Sequence, residues 1–224
     1  MDSSRRGLTD LQAEVLEAFA GCEDAWLTGG AALSGFHLGH RLSHDLDLFT
    51  QDPEALPQLR ARLASWASLN GASLQVLRRF PGFERLLVVR DSEQTLVDLV
   101  LEQTHQVVPL EHKPLVNGLR VDPCEEIRAN KLSALLGRSE TKDLLDLYAL
   151  ARKGLEPLAG LAAARLKDGG LDPATLAWVL SSLRIDLEGL LLLEPVDQVD
   201  LQAFRDQLVE SLQQQAWPTS TEEE

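Results

Sequence analysis

Apolar residues recur at helical spacing near the start of the chain, where Leu8, Leu11, Val15, Leu16 and Phe19 share one face. The pattern predicts an amphipathic helix over residues 9–20, capped by Thr9 or Asp10. A short apolar run, Ala25-Trp26-Leu27, ends at Gly29-Gly30, and residues 30–38 then return to helical spacing up to Gly39. Leu46, Leu48 and Phe49 alternate with Asp45 and Asp47, which predicts a strand with one buried face. Asp52-Pro53-Glu54 opens a helix that ends at Asn70-Gly71. Strands are predicted at 73–79, 84–90 and 95–101, the first two joined as a hairpin by Pro81-Gly82. Residues 105–121 carry only irregular structure or short strands.

From Asp122-Pro123 onward the period is helical. Helices are predicted to about Leu136, then over 140–153, 156–167, 172–184 and 200–216. The breaks are Gly169-Gly170-Leu171-Asp172-Pro173 and Glu194-Pro195. The expected organisation is α+β: a short mixed sheet flanked by helices over 1–121, a C-terminal helical region over 122–217, and a disordered polar tail over 218–224.

Composition narrows the classes. The 224 residues are 44% hydrophobic and 25% charged, near globular averages, and a chain of this length buries a core without staples. With 21 Lys and Arg against 35 Asp and Glu, the net charge is −14. A generic basic nucleic-acid binder is thereby excluded, and any RNA contact is left to a local patch. Cys22 and Cys124 lie far apart in no metal-type spacing, so a reducing cytoplasm is expected. The N-terminus lacks the apolar core of a signal peptide, and the run Leu190 to Leu193 is far too short to cross a bilayer, so no membrane association is expected.

The chemistry concentrates in Leu27-Thr28-Gly29-Gly30 and Arg41-Leu42-Ser43-His44-Asp45-Leu46-Asp47. Two glycines after an apolar run, at a helix start, offer unhindered backbone N–H groups to an anion. Asp45 and Asp47 flank one residue of a strand, so their carboxylates face one way. Neighbouring carboxylates repel unless a divalent cation neutralises them, and Mg²⁺ favours oxygen ligands. Asp98 lies in the apolar run Thr95 to Leu101, where a carboxylate is costly unless paired or metal-bound. In the helical region Lys131 and Arg138 are two helical turns apart, and Asp143 and Asp146 share a face; by spacing alone a salt-bridged helix surface is the simpler explanation.

The combination resembles the AbiEii/AbiGii-type nucleotidyltransferase toxins of the polymerase-beta-like superfamily. The shared features are Gly29-Gly30, Asp45-Leu46-Asp47, Asp98, the Lys131 helix, Arg138 and the run Lys142-Asp143-Leu144-Leu145-Asp146-Leu147-Tyr148, over roughly residues 25–150. The spacer between Gly30 and Asp45 is slightly longer than the usual range, with Gly35 to Gly39 as the segment that would absorb the excess. The resemblance implies that Asp45, Asp47 and Asp98 hold two Mg²⁺ ions, with Mn²⁺ as the alternative. Gly29 and Gly30 would cradle the β- and γ-phosphates of a nucleoside triphosphate, with Arg41, Ser43 and Arg138 as further contacts. Asp98 would also take the acceptor proton, Lys131 would neutralise triphosphate charge, and Lys142, Asp143 and Asp146 would support it, Asp146 most directly. The implied acceptor is the 3′ end of tRNA or a protein hydroxyl, and the implied partner is a cognate antitoxin.

Two other readings compete. His37, His40 and His44 fall within eight residues of one another beside Asp45, which suggests a metal-dependent phosphohydrolase. Such hydrolases are all-helical, whereas Asp45-Leu46-Asp47 reads as a strand. The third reading is a non-catalytic module that binds nucleotide or a partner. The presence of all three acids speaks against it. Tyr148 is expected to pack rather than to stack on a base.

Overall fold

The computed structural model describes residues 6–217; the tail predicted at 218–224 lies outside the described residues. The strands are β1 Ala25–Thr28, β2 Asp45–Thr50, β3 Ser73–Phe80, β4 Phe83–Arg90, β5 Glu93–Leu101, β6 Leu115–Val116 and β7 Leu119–Val121. They form one mixed sheet in the order β3-β4-β5-β2-β1-β7-β6. β2 runs parallel to β5, and β1 parallel to β7; the other neighbours are antiparallel. The helices are α1 Asp10–Val15, α2 Gly29–Ala32, α3 Ala55–Leu69, α4 Cys124–Arg138, α5 Thr141–Arg152, α6 Leu161–Lys167, α7 Pro173–Ser182 and α8 Gln198–Ala216. The architecture is α+β.

Strand alternation decides which face is core. Leu46 and Leu48 of β2 pair with Val97 and Leu99 of β5, Leu86 of β4 pairs with Val97, and with Val88 of β4 they are buried on one face. Each such side chain contributes about 1.5–3 kcal/mol on burial. Leu11 and Val15 of α1, and Leu59 and Leu63 of α3, are buried too. Thr9 caps α1 in a capping box with Gln12. The side-chain nitrogen of Gln12 then donates to the Ser43 carbonyl at 3.1 Å and to Thr95 Oγ1 at 3.2 Å, fixing the loop before β2.

The segment predicted as one helix over 30–38 begins as α2 and continues as a π-helix over Leu33–Leu38, closed by Gly39 at φ 65°. A π turn holds an extra residue, so the winding itself takes up chain length in the long spacer.

The described chain forms two compact units. One runs to Ile127, carries the sheet, and includes Leu191–Glu194. There the Leu42 N–H donates to the Leu191 carbonyl at 2.8 Å and the Leu193 N–H to the His40 carbonyl at 2.9 Å. The short leucine run is thus a clamp on the Arg41 backbone, which bridges to Leu192. The other unit covers Arg128–Leu190 and the chain from Pro195 onward, and is helical, with Leu147, Leu176, Leu180, Leu201 and Leu212 buried. Among the described residues no helix is long and apolar enough to cross a membrane.

Candidate active site

Three strands bring the acids together. Parallel pairing of β2 with β5 sets Asp47 opposite Asp98, and antiparallel pairing with β1 sets Thr28 on the other side of Asp47. Asp45 shares that face of β2. One carboxylate oxygen from each of Asp45, Asp47 and Asp98 lies within 4.8 Å of the others. Three hard oxygen donors with no nitrogen or sulfur fit Mg²⁺ or Mn²⁺ rather than a softer metal.

Both glycines lie in close contact with side chains of the site. Gly29 has φ 67°, and a Cβ there would sit 2.2 Å from Asp47 Oδ2. At Gly30 a Cβ would meet the Arg41 guanidinium at 2.7 Å and Ser43 Oγ at 3.1 Å. A side chain at Gly29 would take a strained backbone and displace Asp47, and one at Gly30 would push the Arg41 guanidinium aside. Arg41 and Ser43 are buried, and Ser43 Oγ donates to the Asp45 carbonyl at 3.1 Å. The structure therefore gathers Gly29, Gly30, Arg41, Ser43, Asp45, Asp47 and Asp98 around one end of β1 and β2.

The polar residues of the helical unit form a cluster of their own. Lys131 Nζ lies 2.9 Å from Asp143 and 2.5 Å from Asp146, and Arg138 donates two bonds of 2.8 Å to Asp143. Asp143 and Asp146 are fully buried. Burial pushes the Asp143 carboxyl up, but the Lys131 charge and the Arg138 guanidinium outweigh it and hold the group below its ordinary value. Lys142 instead pairs with Glu140 at 3.0 Å. Tyr148 packs edge-on against Phe204, with ring centres 5.2 Å apart, as expected for a packing residue.

The family model described as "AbiEii: Nucleotidyl transferase AbiEii toxin, Type IV TA system" matches residues 11–223. The chain belongs to the AbiEii nucleotidyltransferase toxin family. As an AbiEii-family member it is an enzyme of the nucleotidyltransferase class. Among solved structures, a candidate nucleotidyltransferase from H. pylori is 20% identical, covers 92% of this chain and 94% of its own, and superposes with a TM-score of 0.58. JHP933 from Helicobacter pylori is 22% identical, with 92% of each chain covered and a TM-score of 0.58. These likenesses establish the fold. No curated protein matches the chain significantly.

The histidine cluster read from the sequence does not form in this AbiEii-family chain. His37 Nε2 is 2.8 Å from the Asp122 carbonyl, His40 Nδ1 is 3.4 Å from Ser34 Oγ, and His44 is exposed. Among the described residues the acids 45, 47 and 98 are the one group of three or more metal-ligating side chains.

Two features escaped the sequence reading. Arg85 of β4 lies opposite Asp98 and grips it with both arms, Nε at 2.8 Å and an Nη at 2.6 Å. Asp98 is thus both a member of the acidic triad and a salt-bridged acid. The second feature is a buried group in which Lys113 Nζ lies 2.5 Å from Asp122 and 3.6 Å from Glu126, 4.9 Å above the Trp26 ring. Asp122 follows β7, whose Val121 is the register partner of Leu27, so it stands beside Thr28.

Burial pushes Asp122 up to about 6, against the Lys113 charge and a hydrogen bond from Thr28 that favour ionisation. A raised carboxyl works against the fold once ionised: the penalty is absent below the ordinary value near 3.8 and complete above about 6. Urea unfolding of wild type and Asp122→Asn at several pH values tests this. The stability of wild type relative to the variant falls by up to about 3 kcal/mol between roughly pH 4 and 6. Parallel pH profiles would contradict the assignment.

Proposed function

We propose that this AbiEii-family enzyme transfers a nucleoside monophosphate from a nucleoside triphosphate to a hydroxyl acceptor, RNA or protein, as the toxin of a toxin-antitoxin pair. The observation that carries the reading is the acidic triad beside Gly29, where backbone N–H groups and carboxylates meet. Gly29 and Gly30 present N–H groups to the triphosphate, and Arg41 supplies positive charge beside them. Asp45, Asp47 and Asp98 would hold the divalent cation, most simply Mg²⁺, which when bound screens phosphate charge and acidifies the acceptor hydroxyl. The acceptor oxygen bonds to the α-phosphorus as the bridge to the β-phosphate breaks, and pyrophosphate leaves. Asp98 receives the hydroxyl proton, because Arg85 occupies only part of the lone-pair capacity of its two oxygens. From the helical unit, Lys131 is assigned to triphosphate charge on the strength of its motif, with Asp143 and Asp146 orienting it and Arg138 and Lys142 supporting it. A cytoplasmic location and a cognate antitoxin complete the proposal.

The test is incubation with each labelled nucleoside triphosphate, Mg²⁺, total tRNA and total protein, beside an Asp45→Ala/Asp47→Ala control. The expected result is label on one acceptor class, lost in the control. Label that survives in the control would overturn the reading. Phosphate release without an acceptor would indicate a hydrolase, and nucleotide binding without either reaction a binding module.

A further inference from the structure

The face of the sheet that carries the acids also carries two rows of register partners running across the strands. One row is Arg78, Arg85, Asp98, Asp47 and Thr28, from β3 at the sheet edge inward to β1. The next row, two residues along each strand, is Phe80, Phe83, Val100, Phe49 and Trp26. A basic and aromatic edge thus leads straight to the acidic triad.

Three observations show that this edge is not ordinary surface. Phe80 is 61% exposed yet stacks on Phe83, with ring centres 6.5 Å apart and planes 26° from parallel. The Arg85 guanidinium lies 5.9 Å from the Phe83 ring centre, so stacking group and charge form one platform. Arg78 and Arg85 are directly opposed, a like-charge pairing that costs stability unless an anion sits between them. Arg85 is matched by Asp98, whereas exposed Arg78 has no ion-pair partner among the described residues. Arg79, on the other face, is neutralised by Glu84 at 3.1 Å. In a chain with net charge −14, Arg78 thus places positive charge two residues from an exposed stacked ring, Phe80.

We propose that the β3–β4 edge binds the single-stranded 3′ end of an RNA acceptor. Backbone phosphates lie on Arg78 and Arg85, a terminal base stacks on Phe80 and Phe83, and the terminal hydroxyl reaches Asp98. The proposal rests on the nucleotidyl-transfer reading above and deepens it by naming the docking site of an RNA acceptor. RNA fits better than a protein segment because arginine charge and stacked rings match what every nucleotide has, a phosphate and a π-face.

The test uses the full chain with labelled total tRNA, without nucleoside triphosphate, in filter binding across a salt series. Phe80→Ala is expected to weaken binding about tenfold. Arg78→Ala is expected to weaken it and to flatten the plot of log affinity against log salt by about one unit. Both residues are exposed on an edge strand, and binding of a labelled nucleoside triphosphate with Mg²⁺ should be unchanged, which shows the fold and the nucleotide site intact. Unchanged tRNA affinity and salt slope in both variants would overturn the proposal while leaving nucleotidyl transfer standing. So would wild-type labelling of protein alone, or a wild type that binds no tRNA. Label surviving in the Asp45→Ala/Asp47→Ala control would sink the transfer reading instead, and the variants would still report on the RNA surface.

Discussion

Asp47→Asn is expected to abolish nucleotidyl transfer, by at least about a thousandfold, while the metal-free protein stays folded. The substitution keeps shape and removes one charge. Asp47 stands between Thr28 and Asp98 in the register and within 4.8 Å of two other carboxylates. The same lost charge weakens cation binding, and several kcal/mol of transition-state stabilisation go with it; about 4 kcal/mol corresponds to a thousandfold in rate. Melting curves with and without Mg²⁺ report the lost cation binding. Wild type gains stability from the ion because only the folded triad binds it, and the variant should lose that gain. A variant that transfers label at the wild-type rate would remove Asp47 from the chemistry.

Much of this site is legible in the sequence because the strand period is 2. Leu46 and Leu48 must go inward, so Asp45 and Asp47 must share the other face. What periodicity does not carry is which strand lies beside which. Asp47 and Asp98 are far apart in the chain, and their pairing follows from the crossover that inserts β2 between β5 and β1. Arg85 had a usable signal. Asp91-Ser92 is a two-residue turn with Asp91 at φ 54°, and counting back from Arg90 opposite Glu93 leads to Arg85 opposite Asp98. Lys113 had none. It lies in a stretch without period, and only the tertiary fold brings it over Trp26 and against Asp122.

The histidines show the opposite failure. Closeness in sequence suggested a ligand set, but the π-helix and the turn after it send His37 toward a backbone carbonyl, His40 into the interior and His44 to solvent. For Lys131, Arg138, Asp143 and Asp146 the spacing favoured a salt-bridged helix surface. The pairs do form, yet both acids are fully buried, so the network is interior rather than surface.

That burial makes Asp143→Ala the variant expected to cost most in stability, about 3–5 kcal/mol. Asp143 accepts from both Lys131 and Arg138, and its removal takes one of two carboxylates from the buried Lys131 ammonium and the bidentate partner from the Arg138 fork. Arg138→Gln should cost far less, within about 1 kcal/mol, because that side chain is 47% exposed and water replaces the lost pair. Acid should expose the same network. The Asp143 carboxyl is held below its ordinary value, so its contribution is complete above the unfolded value near 3.8 and disappears as pH falls through the lower folded one. Urea unfolding of wild type and Asp143→Asn over pH 2–7 should therefore converge only at the acid end. An Asp143→Ala protein within 1 kcal/mol of wild type would mean that the cations relax into solvent and that the cluster does not hold the helical unit together. With Asp47→Asn, the pair of variants separates two kinds of loss, since one should be folded and inactive while the other, which also takes a partner from Lys131, should lose stability and activity together.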